Sequence, residues 1–222
     1  MLNIGVTPGL GLCNRLKMLF SHYIHMQVTG TIMEMYWVPS WACDGVFLDY
    51  FKPLENVTFI QEKNQSAIIN YNKYHPEYIE HRNLFKDLYL NEQMKKEMED
   101  LWNRIGSPSE VVAIHVRRTD HIELAKKNDN YTHDEEFFEF VENYPNKKIY
   151  LATDNNETQE MFINKYGKDR IVYNVKIATS ESIRQTSVKD AIIDLFACAQ
   201  AFNFMGSGYS SFSGVIEKLV NK

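Results

Sequence analysis

Cysteine is scarce in this 222-residue chain, and its three copies, Cys13, Cys43 and Cys198, stand far apart. An odd number with no Cys-x-x-Cys pair suggests neither a disulfide framework nor a zinc site, and free thiols in a reducing compartment are the simplest expectation. No apolar run is long enough to span a membrane. The opening Met1-Leu2-Asn3-Ile4-Gly5-Val6 lacks the basic flank and long apolar core of a signal peptide. A cytoplasmic protein is therefore expected, and sequons such as Asn56-Val57-Thr58 and Asn130-Tyr131-Thr132 carry no weight. Basic residues are in deficit: 24 Lys and Arg against 29 Asp and Glu leave a formal net charge of −5. That balance argues against a broad nucleic-acid-binding surface but leaves room for one basic pocket. Repeats and low-complexity tracts are missing too.

What is present is ordinary globular composition, 44% hydrophobic and 24% charged, in a chain long enough to bury a core without staples. Thirteen Tyr and thirteen Phe supply core volume and are suited to lining a site that stacks a base or a sugar. Strand-like and helix-like patterns alternate. Strands are expected over 2–6, 31–37, 56–61, 111–116, 148–153, 170–173 and 202–205. Helices are expected over 14–28, 91–104, 134–143, 157–166, 187–200 and 213–220, with a short one over 45–51. Ser187 and Asp190 give the 187–200 helix a box-like start. The polar stretch 64–90 has no clear period; acceptor specificity could reside there. Gly106-Ser107-Pro108-Ser109 is the best boundary signal. The alternation predicts an α/β chain of two compact lobes, 1–105 and 106–222, each a parallel sheet covered by helices. Ligands of such sheets bind at the carboxyl ends of the strands.

One strand end stands out on that rule. Val111-Val112-Ala113-Ile114 suits a strand buried on both faces, and it runs into His115-Val116-Arg117-Arg118-Thr119-Asp120. Two adjacent guanidinium groups at such an edge cost desolvation unless anions meet them. Successive strand side chains point to opposite faces. One arginine is then expected to face a cleft while its neighbour braces the loop, with Asp120 a candidate partner. A planar guanidinium grips a phosphate with two hydrogen bonds. The rival reading is a structural ion-pair cluster.

The string resembles the H-x-R-R-x-D motif of the α1,6-fucosyltransferases, the core and nodulation enzymes included, and of related fucosyltransferases. Further likenesses follow in the same order. Tyr150-Leu151-Ala152-Thr153-Asp154-Asn155 is similar to their Y-L-A-T-D-[DN] segment. Asp190-Ala191-Ile192-Ile193-Asp194-Leu195 and Gly208-Tyr209-Ser210-Ser211-Phe212 resemble two C-terminal motifs. Upstream, Gly11-Leu12-Cys13-Asn14-Arg15-Leu16 is similar to a G-L-G-N-R-L opening, with Cys13 in place of the second glycine.

The resemblance implies a GT-B-like fold: two Rossmann-like lobes with parallel sheets facing across a cleft, the acceptor on the N-terminal side and the donor held mainly by the C-terminal lobe. It implies GDP-fucose as donor, a glycan hydroxyl as acceptor, inversion at the anomeric carbon, and neither cofactor nor metal. Arginine charge neutralising a leaving diphosphate fits that picture, and no Asp-x-Asp stands at a strand end to hold a cation. The implied donor-binding set is His115, Arg117, Arg118, Asp154, Asn155, Asp194, Ser210 and Ser211, with Gly11 and Asn14 from the first loop. The catalytic candidates are Arg117, Asp120 and Glu123.

Each assignment has a plainer alternative. Asp154 and Asn155 suit an N-cap. Asp194, a carboxylate among Ile192, Ile193, Leu195 and Phe196, matches the paired N–H donors of a guanine edge but also suits a nearby cation. Ser210 and Ser211 open a helix, where backbone N–H groups meet an anion or a simple cap. The family often carries Gln at the position of Phe212. Its candidate general base falls on Ala125, which leaves Glu123, or His121 beside it, as a base on a shifted loop or as a solvated surface residue. His22, His25, His75 and His81 show no metal-ligand spacing. Another GDP- or UDP-sugar, or a binding protein without turnover, are the rival functions.

Overall fold

The computed structural model describes residues 1–62, 70–71, 73–119, 122–175 and 186–220. They form two compact units, Met1–Lys95 and Lys96–Val220. The division falls inside a helix rather than at the Gly106 turn, where the sequence suggests it.

In the first unit, strand β1 (Leu2–Gly5) leads into helix α1 (Leu12–Thr29), then β2 (Met33–Tyr36), β3 (Val57–Ile60) and the two-residue β4 (Asn70–Tyr71). The sheet order is β3-β2-β1-β4, all parallel. Gly30, at φ 63, stops α1 in the left-handed conformation that glycine adopts without a Cβ clash. The helix expected over 45–51 is one 3-10 turn, Phe47–Asp49. Residues 64–69 and 72 of the polar stretch lie outside the described residues.

Helix α2 (Glu92–Ile105) buries Met94, Met98, Leu101 and Ile105 at three- and four-residue steps, the amphipathic spacing that predicted it. In the second unit come β5 (Val111–Val116), α3 (Ile122–Lys127), α4 (Asp134–Glu142), β6 (Lys148–Thr153), α5 (Asn156–Tyr166), β7 (Ile171–Val172), α6 (Val188–Gln200), β8 (Asn203–Gly206) and α7 (Ser211–Val220). Their sheet order is β7-β6-β5-β8, again parallel throughout.

All six residues of β5 are buried, as an apolar run covered on both faces requires. Val112, Ile114 and Val116 pack with Ile149, Leu151, Phe137, Val141 and Phe162, which come from β6, α4 and α5. The alternate residues turn to the other side, where His115 meets Ser213 of α7 and Tyr150 meets Asp194 of α6. Helix α6 starts on Ser187, whose hydroxyl oxygen accepts from the Asp190 N–H as the sequence predicts. All three cysteines are buried, and none is in a disulfide. Among the described residues no helix is long and apolar enough to cross a membrane.

The two sheets share one connectivity. Three strands run outward in chain order, and the fourth returns to the far side of the first. The switch points therefore lie between β1 and β4, and between β5 and β8. Crevices at such points are where open α/β sheets hold ligands.

Candidate functional site

The loops that leave β5 and β8 are tied together at the second unit's switch point. The Arg117 N–H donates to Ser207 Oγ at 2.9 Å, and Ser207 Oγ donates to the His115 carbonyl at 3.1 Å. A third loop, between α3 and α4, closes over them: the Gly208 N–H donates to Thr132 Oγ1 at 2.8 Å. A Cβ at Gly208 would lie 2.3 Å from the Asn130 carbonyl oxygen, so only glycine permits this approach. Tyr209 follows at φ 55, a left-handed conformation that costs a non-glycine residue energy. Between these loops lies a shallow pocket open to solvent. Arg117, Arg118, Ala125, Thr132, Ser207 and Gly208 contribute to its lining.

The two arginines follow directly on the end of β5, and both line this pocket. Arg118 is also tied to the protein. Its side chain is 11% exposed and pairs with Asp134 Oδ1 at 2.5 Å. It also donates to the carbonyls of Thr132 and Arg117 and lies over the Tyr131 ring at 4.9 Å. The brace is thus Asp134, in the first turn of α4; Asp120 and His121 lie outside the described residues. An Arg118 guanidinium held this way braces the loop, and the same residue lines the pocket beside Arg117. Arg117 is half-buried and lines the pocket.

The remaining candidates sort by their contacts. The Asp154 carboxylate accepts from the Arg118 N–H at 3.0 Å and from the Thr119 hydroxyl, fixing the arginine loop from the end of β6. Asn155 caps α5, accepting from the Thr158 N–H at 2.7 Å. His115 is buried, with Nδ1 2.8 Å from Ser213 Oγ and its ring 4.7 Å from Phe212, so Phe212 packs where the resemblance expects a polar side chain. Asp194 is 4% exposed and accepts from the Tyr150 hydroxyl at 2.7 Å. Burial, then the Asp194 charge, pushes the Tyr150 phenol well above its ordinary pKa, so it remains a donor. The hydrogen-bond partner seen for Asp194 is thus a tyrosine hydroxyl. Ser210 and Ser211 lie at the start of α7, and Ser210 Oγ accepts from the Ser213 N–H at 3.4 Å, a long cap. Glu123 sits on α3 with its side chain 90% exposed, 3.5 Å from Lys126; Ala125, on the same helix, is buried against the pocket.

In the first unit, Gly11 occupies the N-cap position of α1, and Asn14 Oδ1 accepts from the Tyr74 hydroxyl at 3.1 Å. Arg15 is fully buried. It donates to the carbonyls of Leu10 and Val38 and to Ser40 Oγ, each at 2.7 Å. The sequence does not point to Ser207 or Thr132 as site residues, since the partner of Thr132 is 76 residues away; Tyr209 lies within the Gly208–Phe212 segment. Among the described residues, no group of His, Cys, Asp and Glu is arranged to hold a metal.

Comparison with known proteins agrees with this architecture. The family model of alpha-(1,6)-fucosyltransferase N- and catalytic domains matches residues 83–200, more than half of the chain. No curated protein matches in sequence. Among solved structures, the NodZ alpha-1,6-fucosyltransferase soaked with GDP-fucose is 14% identical with a TM-score of 0.68, covering 99% of this chain and 93% of its own. Fucosyltransferase NodZ from Bradyrhizobium is 15% identical at a TM-score of 0.60, covering 98% and 93%. POFUT1 in complex with GDP is 11% identical at 0.65, covering 98% and 94%. The fold is α/β and GT-B-like, with two Rossmann-like parallel sheets.

Proposed function

The chain belongs to the family of alpha-(1,6)-fucosyltransferase N- and catalytic domains, and from that premise we propose that it is an inverting, metal-independent glycosyltransferase moving fucose from GDP-fucose to a glycan hydroxyl. The observation that carries this reading is the Arg117 pocket at the β5–β8 switch point. The acceptor oxygen forms a bond to the anomeric carbon as the bond from that carbon to the diphosphate breaks. The acceptor proton passes to a base, and GDP departs with the bonding electrons. Charge grows on the leaving diphosphate, and a fixed guanidinium meets it without reorganisation. Ser210 and Ser211 open a ten-residue helix whose first N–H groups add partial positive charge to the same loop. The first unit, with Gly11 and Asn14 at its own switch point, is the acceptor side in this reading.

Calorimetry with GDP against UDP tests the donor, and transfer in the presence of EDTA tests the metal. GDP should bind, UDP should bind at least about tenfold more weakly, a difference of about 1.4 kcal/mol, and EDTA should leave the rate unchanged. Equal binding of both nucleotides would transfer the reading to another sugar donor. Tight GDP binding with neither transfer nor hydrolysis would make the chain a binding protein.

A further inference from the structure

Among the described residues of the first unit, Trp41 is the most exposed of the Phe, Tyr and Trp residues, at 74%, yet its loop is firmly held. Ser40 and Cys43 exchange backbone hydrogen bonds at 2.8 and 3.0 Å, closing a tight turn with Trp41 on it. Cys43 and Ala42 are buried. Ser40 Oγ donates to the Pro8 carbonyl and accepts from buried Arg15, locking the turn after β2 onto the loop after β1. A Cβ at Gly9 would come within 3.9 Å of the indole, so the loop after β1 passes beside the ring without adding a side chain to it. In the first turn of α1, Asn14 Oδ1 accepts from the hydroxyl of Tyr74, which follows β4, so an amide and a hydroxyl lie at the same carboxyl edge of the sheet, next to the β1–β4 switch point.

We propose that a pyranose ring of the acceptor glycan stacks on Trp41. A rigid aromatic face binds the apolar C–H face of a sugar at little entropic cost, while amide and hydroxyl groups on the rim take its hydroxyls. An isolated exposed apolar residue needs no explanation; one mounted on a turn secured by a fully buried arginine has been given a fixed position. The inference rests on the glycosyltransferase reading, and it makes Trp41 a specificity-determining residue on the acceptor side.

The test pairs two readouts on the full chain. Intrinsic fluorescence is titrated with a panel of maltotetraose, cellotetraose and chitotetraose, and transfer to whichever member serves as acceptor is measured at saturating donor. At least one oligosaccharide should shift the emission of the wild type and leave W41F unshifted. W41A should raise the acceptor KM roughly tenfold, with W41F recovering part of the loss. GDP binding should be equal in all three proteins. Emission unmoved by the whole panel, or an unchanged acceptor KM in W41A, overturns the subsite. Absence of GDP binding in the wild type overturns the enzymatic reading instead and leaves the fluorescence result standing by itself.

Discussion

Arg117 and Arg118 are chemically identical neighbours that line one pocket, and substitution should separate their roles. Arg117→Ala removes charge-assisted contacts to phosphate, each worth about 1.5–3 kcal/mol, so GDP affinity should fall at least about tenfold while the unfolding midpoint stays put. Arg118→Ala leaves Asp134 and the Thr132 carbonyl without their shared donor. Asp134 retains some water, its side chain being 35% exposed, so the loss of stability is set at about 2 kcal/mol, below the cost of breaking a fully buried pair. Thermal unfolding and calorimetry on both variants check this. A destabilised Arg117→Ala with unaltered GDP affinity would return that residue to a structural role. The same scale decides Glu123. Its solvated position beside Lys126 predicts that Glu123→Gln changes the transfer rate by no more than about twofold, whereas a general base is worth on the order of a hundredfold or more.

Elements were easier to read from the sequence than their partners were. The β5 run was legible because six consecutive buried residues leave no polar position to break the pattern. Helix α6 was legible because Ser187 and Asp190 are a local pair. Helix α3 was missed: it is six residues long and follows directly on the motif. The Tyr150–Asp194 bond joins residues 44 apart, and the Arg118–Asp134 bond residues 16 apart; no local spacing encodes either. A similar long-range arrangement gives α1 a pH dependence. Beside it, the rings of His25 and His75 stack at 4.3 Å, His22 meets His75 edge-on at 5.6 Å, and His22 Nε2 lies 2.8 Å from the Lys73 carbonyl. Burial lowers the His22 pKa from 6.5 against the opposing Lys73 carbonyl, with His75 and then His25 lowering it further; burial and then His25 lower that of His75, against Glu77. The unfolded chain therefore takes up protons first as the solution is acidified. Stability is complete above about pH 6.5 and is lost as pH falls through the depressed folded values. Urea unfolding between about pH 7.5 and about 5.5 should show this slope, and His75→Gln should flatten it; an unaltered slope would place the acid sensitivity elsewhere.

At the scale of the whole chain, the same strand order appears twice, and each copy sets aside one crevice by topology alone. A net charge of −5 says nothing about either crevice, which is why composition argues against a broad nucleic-acid surface but could not locate an anion site. Location came from connectivity: β8 returns beside β5, so Arg117 and Ser207, 90 residues apart, meet at one sheet edge. If the donor diphosphate occupies that crevice, hydrogen exchange with saturating GDP should slow most at 117–119 and 206–211, the segments that leave β5 and β8. The global stability of the chain should rise only by mass action, about 2.7 kcal/mol at a hundredfold excess over Kd. The amides of β7, at the opposite edge of the same sheet, should change by no more than that global term. Protection spread evenly through the second unit, with nothing concentrated at the two strand ends, would mean that GDP stabilises the fold from another position and that the switch point is not its binding site.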